Sequence, residues 1–316
     1  MPLAPGEADI APTLVAKARV PMRWQTVQRQ FDRRAARLGP HDFLLREVSN
    51  RLIDRLDYIR LTPARIVDVG CGAGGSREPL SKRFPGAHWT GVDLSLPMML
   101  AANARRGPLA AWFDRARGRA RSSEPICAEA TQLPFADATF ELVFSNLMLH
   151  WHPRPHDVFP EWKRVLTVDG LLLFSCFGPD TLQELRAACA ETLRESYPMP
   201  FIDMHDFGDM MVAAGFATPV MDVETIRLTY GSAHELLAEA RALGGNPRDD
   251  RAHGLVAGTR ARALLAALER RRDATGRIPL TFEVAYGHAW KPAPRGATEA
   301  VISLDRLRAG LAGRRR

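Results

Sequence analysis

Residues 65–75 join a short β-branched run, Ile66 to Val69, to glycines at every second position. The glycines are Gly70, Gly72 and Gly74. The run predicts a buried parallel strand. The glycines predict a tight loop, because a residue without a Cβ adopts positive φ and lets a ligand approach the bare backbone. Ser76 then predicts the N-cap of a helix whose free amide groups face whatever occupies the loop.

The glycine spacing and an acidic residue farther along indicate which ligand this loop suits. The G-x-G-x-G spacing differs from the G-x-G-x-x-G of dinucleotide folds and from the G-x-x-x-x-G-K of phosphate loops, so no pyrophosphate grip is expected. Asp93 ends the next apolar run, where a carboxylate of a doubly wound fold accepts hydrogen bonds from ribose hydroxyls. The alternative is a generic nucleotide-fold turn followed by an unrelated aspartate.

Together, the loop and Asp93 resemble motifs I and II of class I S-adenosylmethionine-dependent methyltransferases. The resemblance implies an α/β fold with a doubly wound, seven-stranded Rossmann-like sheet, and S-adenosyl-L-methionine as the cofactor. It also implies that the glycine loop cradles the methionine end, with Asp68 beneath it, and that Asp93 holds the ribose. Leu94 belongs to the same expected site. Met98, on a helix predicted to begin at Ser95, could stack on the adenine or simply fill the core.

The next predicted strand, Ile126 to Ala130, leads into a Leu-Pro-Phe sequence at 133–135. This segment resembles the G-D-A-x-x-L-P-F of the same methyltransferases, in which the acid and the following backbone amide hold the adenine. The resemblance assigns these roles to Glu129 and Ala130. Ala128 and Glu129 depart from the pattern, and the longer Glu side chain is expected to reach the adenine amine differently.

The fourth predicted strand, Phe140 to Asn146, should lie beside the first at the topological switch point, where such sheets bind ligands. Asn146, at its carboxyl end, is therefore a further candidate for cofactor binding. Enzymes that methylate base amines usually carry N/D-P-P-Y/F/W here, and the Ser-Asn-Leu-Met at 145–148 is not that tetrad. A nucleic-acid substrate is therefore not expected.

A cluster of histidines follows this strand, at His150, His152 and His156. No metal site is expected, because Pro153 and Pro155 break any helix that would align the histidines, and no carboxylate or thiolate cluster completes the ligands. Two hypotheses stay open for His150. It donates a hydrogen bond to a substrate carboxylate, or it is a histidine satisfied at a pocket wall.

The most family-specific run is Cys176 to Arg186. It resembles the F-G-x-D-T-L-x-E-L-R of the biotin-pathway malonyl-acyl-carrier-protein O-methyltransferases, and equally that of related mitochondrial complex I assembly factors. The similarity extends from Phe31 to Lys291. It implies esterification of the free carboxylate of malonyl-acyl-carrier protein in biotin biosynthesis. The alternatives are a protein that modifies an arginine of a respiratory subunit, and a non-catalytic binding module.

Methyl transfer from a sulfonium needs alignment and a dry site more than a proton shuttle. A malonyl carboxylate is already ionised at neutral pH, so no general base is required. A cation could hold that carboxylate, and Arg186 or Arg241 is the predicted clamp, with an exposed helix-face residue as the alternative for each. The predicted catalytic residues are therefore His150, Arg186 and Arg241.

The chain order predicts a flexible N-terminal arm over residues 1–22, a methyltransferase domain over 23–300 and a basic tail over 301–316. A helical insertion at 232–278 precedes the last strand, Thr281 to Trp290, and could cover the pocket as a lid. Other predicted helices are Phe43 to Tyr58, Trp162 to Val168 and Phe207 to Ala214, and the sixth strand is placed within Val220 to Tyr230.

The formal net charge is +7 and the pI is about 9.7. This charge admits a nucleic acid, but it equally admits an acidic protein partner such as a carrier protein. The four cysteines form no CxxC pair, which suits a reducing cytoplasm. No apolar run of 18 residues and no signal peptide occurs, so neither a membrane span nor secretion is expected.

Overall fold

The computed structural model describes residues 22–35, 42–105, 125–193, 199–247 and 258–294. The strands are β1 (Arg65–Val69), β2 (His88–Asp93), β3 (Ile126–Cys127), β4 (Phe140–Asn146), β5 (Leu166–Phe177), β6 (Ala217–Tyr230) and β7 (Ile278–Trp290). Within the described residues, these seven strands form one sheet in the order β3-β2-β1-β4-β5-β7-β6. Strand β7 is antiparallel to both β5 and β6, and the other pairs are parallel.

Helices cover both faces of this sheet. They are α1 (Trp24–Ala35), α2 (Phe43–Asp54), α3 (Arg77–Arg83), α4 (Leu96–Arg105), α5 (Val158–Val165), α6 (Gln183–Leu193), α7 (Met204–Ala213), α8 (Ala233–Ala242) and α9 (Gly258–Glu269). Alternate residues of each central strand enter different cores, as Ile66 and Val67 of β1 do. Burial on both sides explains why these strands are continuously apolar. The predicted doubly wound, seven-stranded α/β fold is confirmed.

Several predicted element boundaries were wrong at the far side of the sheet. The helix expected over Trp162 to Val168 ends at Val165, because Leu166 pairs with Phe140 and begins β5. Asp169 then adopts a φ of 59° and its N–H donates to the carbonyl of Lys291. Strand pairing thus overrides the helical pattern of the sequence here.

Other differences are smaller. Strand β3 ends at Cys127, three residues before the predicted end, and β6 and β7 begin earlier than predicted, at Ala217 and Ile278. The helix predicted over Phe43 to Tyr58 becomes a 3₁₀ turn after Asp54. These are the ends of elements, where pairing partners that are distant in sequence decide the boundary.

The segment between β6 and β7 contains α8 and α9. The side chain of Ser232 accepts a hydrogen bond from the backbone N–H of Glu235 and caps α8. The carboxylate of Glu235 returns to the N–H of Gly231, not to that of Ser232. After α8, Gly244 and Gly245 take positive φ and close the helix.

Parts of the predicted domain plan fall outside the described residues. These parts are residues 1–21 of the arm, residues 36–41, 106–124, 194–198 and 295–300 of the predicted domain, residues 248–257 of the predicted insertion, and the tail over 301–316. Within the part of the chain that the structure describes, no helix is both long and apolar enough to cross a membrane.

Candidate active site

A cavity of about 490 Å³ lies at the carboxyl ends of β1, β2 and β4. The strand order reverses around β1, which has β2 on one side and β4 on the other. In a doubly wound sheet this switch point leaves a crevice between the loops, so a ligand site forms there. The volume falls within the roughly 300–1,000 Å³ of small-molecule pockets.

The glycine loop after β1 forms one wall of the cavity. Gly70, Gly72 and Gly74 have φ values of 78°, 51° and 72°, which confirms the predicted positive-φ turn. Gly70 and Gly72 line the cavity, whereas Gly74 does not and instead donates its N–H to the carbonyl of Cys71. A Cβ on Gly70 would lie 2.2 Å from Cγ of Met148, so no other residue fits there without movement.

Asp68 lies beneath the loop, with only 1% of its surface exposed, and it lines the cavity. Burial raises the pKa of Asp68 to about 7, although a hydrogen bond from Ser76 acts in the opposite direction. Ser76 occupies the N-cap position of α3, but its side chain caps nothing: its hydroxyl donates to Asp68. Ser76 is thus the N-cap residue, as predicted, but its hydroxyl bonds the buried carboxylate instead of a backbone N–H.

Asp93 ends β2 and faces the cavity. Its two carboxylate oxygens accept the N–H groups of Gly72 and Ser95, each at 2.8 Å. Burial raises the pKa of Asp93, and these amide hydrogen bonds act against the rise. Each oxygen has a further lone pair, so the carboxylate is held in place and can still accept hydrogen bonds from two hydroxyls.

Glu129 follows β3 and lines the cavity together with Ala130. Its Oε1 lies 2.9 Å from Nε2 of His152, and its Oε2 accepts hydrogen bonds from the amide and the hydroxyl of Thr131. Burial alone would raise the pKa of Glu129, but the hydrogen bonds from His152 and Thr131 lower it below its usual value. Glu129 is thus a fixed carboxylate at the cavity wall.

Leu94, Met98 and Asn146 also line the cavity. Nδ2 of Asn146 donates to the carbonyl of Leu45 at 3.0 Å, and its Oδ1 accepts the Ser175 hydroxyl at 2.9 Å. The amide therefore ties α2 to β4 and β5. Whether Asn146 also contacts the cofactor stays a prediction.

The arrangement fits S-adenosylmethionine. A Cβ on Gly72 would project to 3.7 Å from Cε of Met98, so the missing side chain keeps open the space between loop and helix. Asp93 has acceptors for ribose hydroxyls, and Glu129 has an acceptor for an adenine amine. The described residues include no group of three or more His, Cys, Asp or Glu that could hold a metal ion.

One cavity wall was missed in the sequence. Helix α1 contributes Trp24, Val27, Gln28, Phe31 and Arg34. Two contacts anchor it to the loop after β2: Gln28 donates to the carbonyl of Leu94 at 3.0 Å, and the Ser95 hydroxyl donates to Asp32 at 2.6 Å. The signal was present, because these positions recur at intervals of three and four residues, which is the helical period.

Further walls come from four other parts of the chain. Leu45, Arg46 and Ser49 belong to α2, Trp151 follows β4, Phe177 ends β5, and Leu243 belongs to the predicted insertion. A Cβ on Gly244 would meet the ring of Trp151 at 2.5 Å, so this end of the insertion packs closely on the site. Movement of the segment as a lid stays a prediction.

His150 does not lie among the described residues that line the cavity. It is buried against Trp151, Phe177 and Phe201, and burial lowers its pKa to about 3, so the ring is neutral. Its Nδ1 accepts the N–H of Phe177 at 3.3 Å. The structure thus places His150 behind the pocket wall rather than in reach of the cavity.

The two predicted arginine clamps also lie away from the described cavity wall. The guanidinium of Arg186 donates to the carbonyls of Pro179 and Thr181, at 2.8 Å and 3.1 Å, and so holds the turn before α6. Arg241 is exposed on α8. The structure brings neither of them to the predicted cofactor residues.

The glycine loop, the carboxylates at the end of β2 and after β3, and the sheet order define a class I S-adenosylmethionine-dependent methyltransferase. A family model described as "Methyltransferase domain" matches residues 67–174. The YcgJ protein of Bacillus subtilis has a similar fold, with a TM-score of 0.53 at 16% identity over 78% of this chain and 100% of that chain.

Two curated relatives are similar over most of their length. One is malonyl-[acyl-carrier protein] O-methyltransferase of Laribacter hongkongensis, 43% identical over 275 residues, or 85% of this chain and 90% of that protein. The enzyme of the same name from Gallionella capsiferriformans is 40% identical over 273 residues, or 86% and 92%. The chain belongs to the malonyl-[acyl-carrier protein] O-methyltransferase family.

Proposed function

We propose that this chain transfers the methyl group of S-adenosylmethionine to the free carboxylate of a malonyl group carried by an acyl-carrier protein. The observation that carries the proposal is the 43% identity over 275 residues to a malonyl-[acyl-carrier protein] O-methyltransferase. The match spans 85% of the chain, so it extends well beyond the cofactor motifs. The proposed acceptor is a protein-bound carboxylate and not a nucleic acid.

The cofactor, when bound, supplies a sulfonium methyl group whose carbon–sulfur bond breaks as a carboxylate oxygen bonds to the carbon, with the electron pair left on sulfur. No proton moves in this reaction, because a malonyl carboxylate is ionised at neutral pH. The chain therefore needs no general base, which agrees with the buried, neutral state of His150.

The cavity residues orient the reactants and exclude water. Phe31, Trp151, Phe177 and Leu243 give one part of the wall an apolar surface, while Asp93 and Glu129 hold fixed acceptors on another. Exclusion of water strengthens every charge interaction inside such a site. Alignment of the acceptor with the methyl group is then the main contribution of the protein.

A single-turnover experiment tests this function. The purified protein is incubated with methyl-labelled S-adenosylmethionine and malonyl-acyl-carrier protein, beside the variants Asp93→Ala and Asp209→Ala. Label should appear in a base-labile ester with the wild type and be lost with Asp93→Ala. Asp209 is exposed on α7 and does not line the cavity, so its variant is the matched control and should keep wild-type labelling.

Calorimetry with S-adenosylhomocysteine separates cofactor binding from methyl transfer. Binding of that product by the wild type, with no label in the malonyl thioester, would contradict the proposed acceptor. Equal labelling by Asp93→Ala would contradict the proposed cofactor site.

A further inference from the structure

Two arginines that were not predicted as site residues from the sequence line the cavity. They are Arg34 on α1 and Arg46 on α2. The two helices form neighbouring walls of the cavity. The neighbouring His152 also lines the cavity, but its ring is engaged with Glu129. Because His152 already holds the Glu129 carboxylate, the charges of Arg34 and Arg46 serve another purpose.

The guanidinium of Arg34 lacks good hydrogen-bond partners. Its Nη1 lies 3.5 Å from the carbonyl oxygen of Leu243, at the limit of a hydrogen bond. Its Nη2 is buried and has no partner among the described residues. A buried donor that is left unpaired costs stability, so its position at a cavity wall calls for a ligand that would pair with it.

The charge and the burial of Arg34 also favour an anionic ligand. Burial lowers the pKa of Arg34, and the nearby charges of Asp42 and Glu239 raise it. A group partly removed from water gains more from an added counter-charge than an exposed group does. Arg46, by contrast, is exposed at its end of the cavity, where it can approach an entering anion.

We propose that Arg34 and Arg46 form the carboxylate-binding site of this enzyme and hold the malonyl carboxylate that is methylated. This inference rests on the proposed function. A guanidinium matches a carboxylate because its planar donors can bind both oxygens. Methylation converts the anion into a neutral ester, so the same site would bind the substrate more tightly than the product.

A phosphate offers similar chemistry, and a carrier protein brings one on its prosthetic arm. The experiment must therefore separate the carboxylate from the phosphate. Malonyl- and acetyl-acyl-carrier protein share the carrier and the arm and differ in the terminal carboxylate. The ratio of their affinities reports on that carboxylate alone.

Affinities are measured by calorimetry with enzyme saturated with S-adenosylhomocysteine, and kcat/KM for malonyl-acyl-carrier protein is measured in parallel. The wild type should prefer the malonyl form. Arg34→Gln should reduce this preference and kcat/KM by roughly 30-fold, as expected for loss of a buried charge partner. Arg46→Gln should cost less because Arg46 is exposed. Arg34→Lys should retain part of the preference, since it keeps the charge and loses the planar donors.

Arg33→Gln is the matched control, because Arg33 lies on the same helix, is exposed and does not line the cavity. It should leave the malonyl-to-acetyl ratio unchanged. Unchanged affinity for S-adenosylhomocysteine in Arg34→Gln would show that the cavity still folds.

Three results would overturn the inference. If the wild type is active and the ratio of affinities for malonyl- and acetyl-acyl-carrier protein is unchanged in both Arg34→Gln and Arg46→Gln, the two arginines do not bind the carboxylate. The proposed function would not be affected by that result. An equal loss of affinity for malonyl- and acetyl-acyl-carrier protein would show that the arginines bind the phosphate of the prosthetic arm instead. A wild type that neither methylates malonyl-acyl-carrier protein nor prefers it would refute the proposed function itself.

Discussion

Gly70 sits where the chain turns from β1 into the cofactor loop, with a φ of 78° and Met148 directly over its α-carbon. Both features exclude a side chain, for separate reasons. Positive φ strains any residue with a Cβ, and the close side chain of Met148 leaves no volume for one. Met148 also lines the cavity, so strain at Gly70 would be transmitted to the site.

We predict that Gly70→Ala lowers the free energy of unfolding by about 1–3 kcal/mol and weakens binding of S-adenosylhomocysteine. Denaturant unfolding and calorimetry would measure the two effects. Gly86→Ala is the matched control, because a Cβ there meets nothing within 4 Å and Gly86 lies on the surface. Equal stability of the two variants would contradict the argument.

His152 is held in one tautomer by its two neighbours. Its Nδ1 accepts the N–H of Arg154 at 3.1 Å, so the proton of the neutral ring resides on Nε2. That nitrogen then donates to Oε1 of Glu129 at 2.9 Å. Two hydrogen bonds from Thr131 occupy the other carboxylate oxygen, so His152 sets how Glu129 presents its one remaining lone pair to the cavity.

We predict that His152→Ala weakens binding of S-adenosylhomocysteine about tenfold, the cost of a hydrogen bond to a charged group. His152→Gln places an amide donor near the position of Nε2 and should retain most of the affinity. The preference for S-adenosylhomocysteine over S-inosylhomocysteine, which lacks the adenine amine, should shrink in His152→Ala. An unchanged preference would mean that Glu129 does not contact that amine.

Helix α1 joins two sides of the site. Gln28 and Asp32 attach it to the loop after β2, and Arg34 extends toward Leu243 at the end of α8. The helix buries only Val27 fully, so tertiary contacts of this kind, rather than a core of its own, hold it in place. An element with few buried contacts opens more easily than the central strands.

We therefore predict that S-adenosylhomocysteine slows hydrogen exchange of the α1 amides by roughly tenfold or more, because release of the ligand requires α1 to open. Exchange in the centre of β5, from Leu171 to Phe174, serves as the internal reference and should not respond to the ligand on the same timescale. Protection of the glycine loop without protection of α1 would show that the helix does not cover the bound cofactor.

At the scale of the whole molecule, Asp68 links stability to pH. Its pKa rises from 3.8 to about 7 on folding because the carboxyl is buried. The folded state then holds a proton that the unfolded state has released, and the unfolding free energy falls as pH rises through this interval. The stabilisation is fully present below about pH 4 and is lost above about pH 7.

We predict that the wild type loses on the order of 1–3 kcal/mol of stability relative to Asp68→Asn between pH 5 and pH 8, without cofactor. Urea unfolding at the two pH values would measure the difference. Comparison with the variant is necessary because other carboxylates act in the opposite direction: burial would raise the pKa of Glu224, but hydrogen bonds from Arg51 and Arg55 lower it overall. If the unfolding free energies of the wild type and Asp68→Asn changed equally between the two pH values, the raised pKa of Asp68 would be contradicted.

Local patterns predicted the conformation of the glycine loop and the place of Asp93 in the sheet. The positive φ values of the glycine loop and the position of Asp93 at the end of β2 both follow from rules that act within a few residues. Helix α1 was not predicted as a cavity wall although its residues recur at the helical period, because the face that meets the ligand depends on how the helix packs. The end of α5 was misplaced because the pairing of Leu166 with Phe140 depends on a strand 26 residues away in the chain.

The amino-acid sequence by itself determined the strand–glycine-loop–helix unit, the order of cofactor motifs and the family, because these depend on backbone sterics and on residues close together in the chain. Only the tertiary structure decided which cations reach the cavity. Arg186 and Arg34 are both helical arginines, yet Arg186 pairs with backbone carbonyls and Arg34 lines the pocket. The physical reason is that a helix presents the same side chains wherever it packs, and its neighbours alone decide which face meets the ligand.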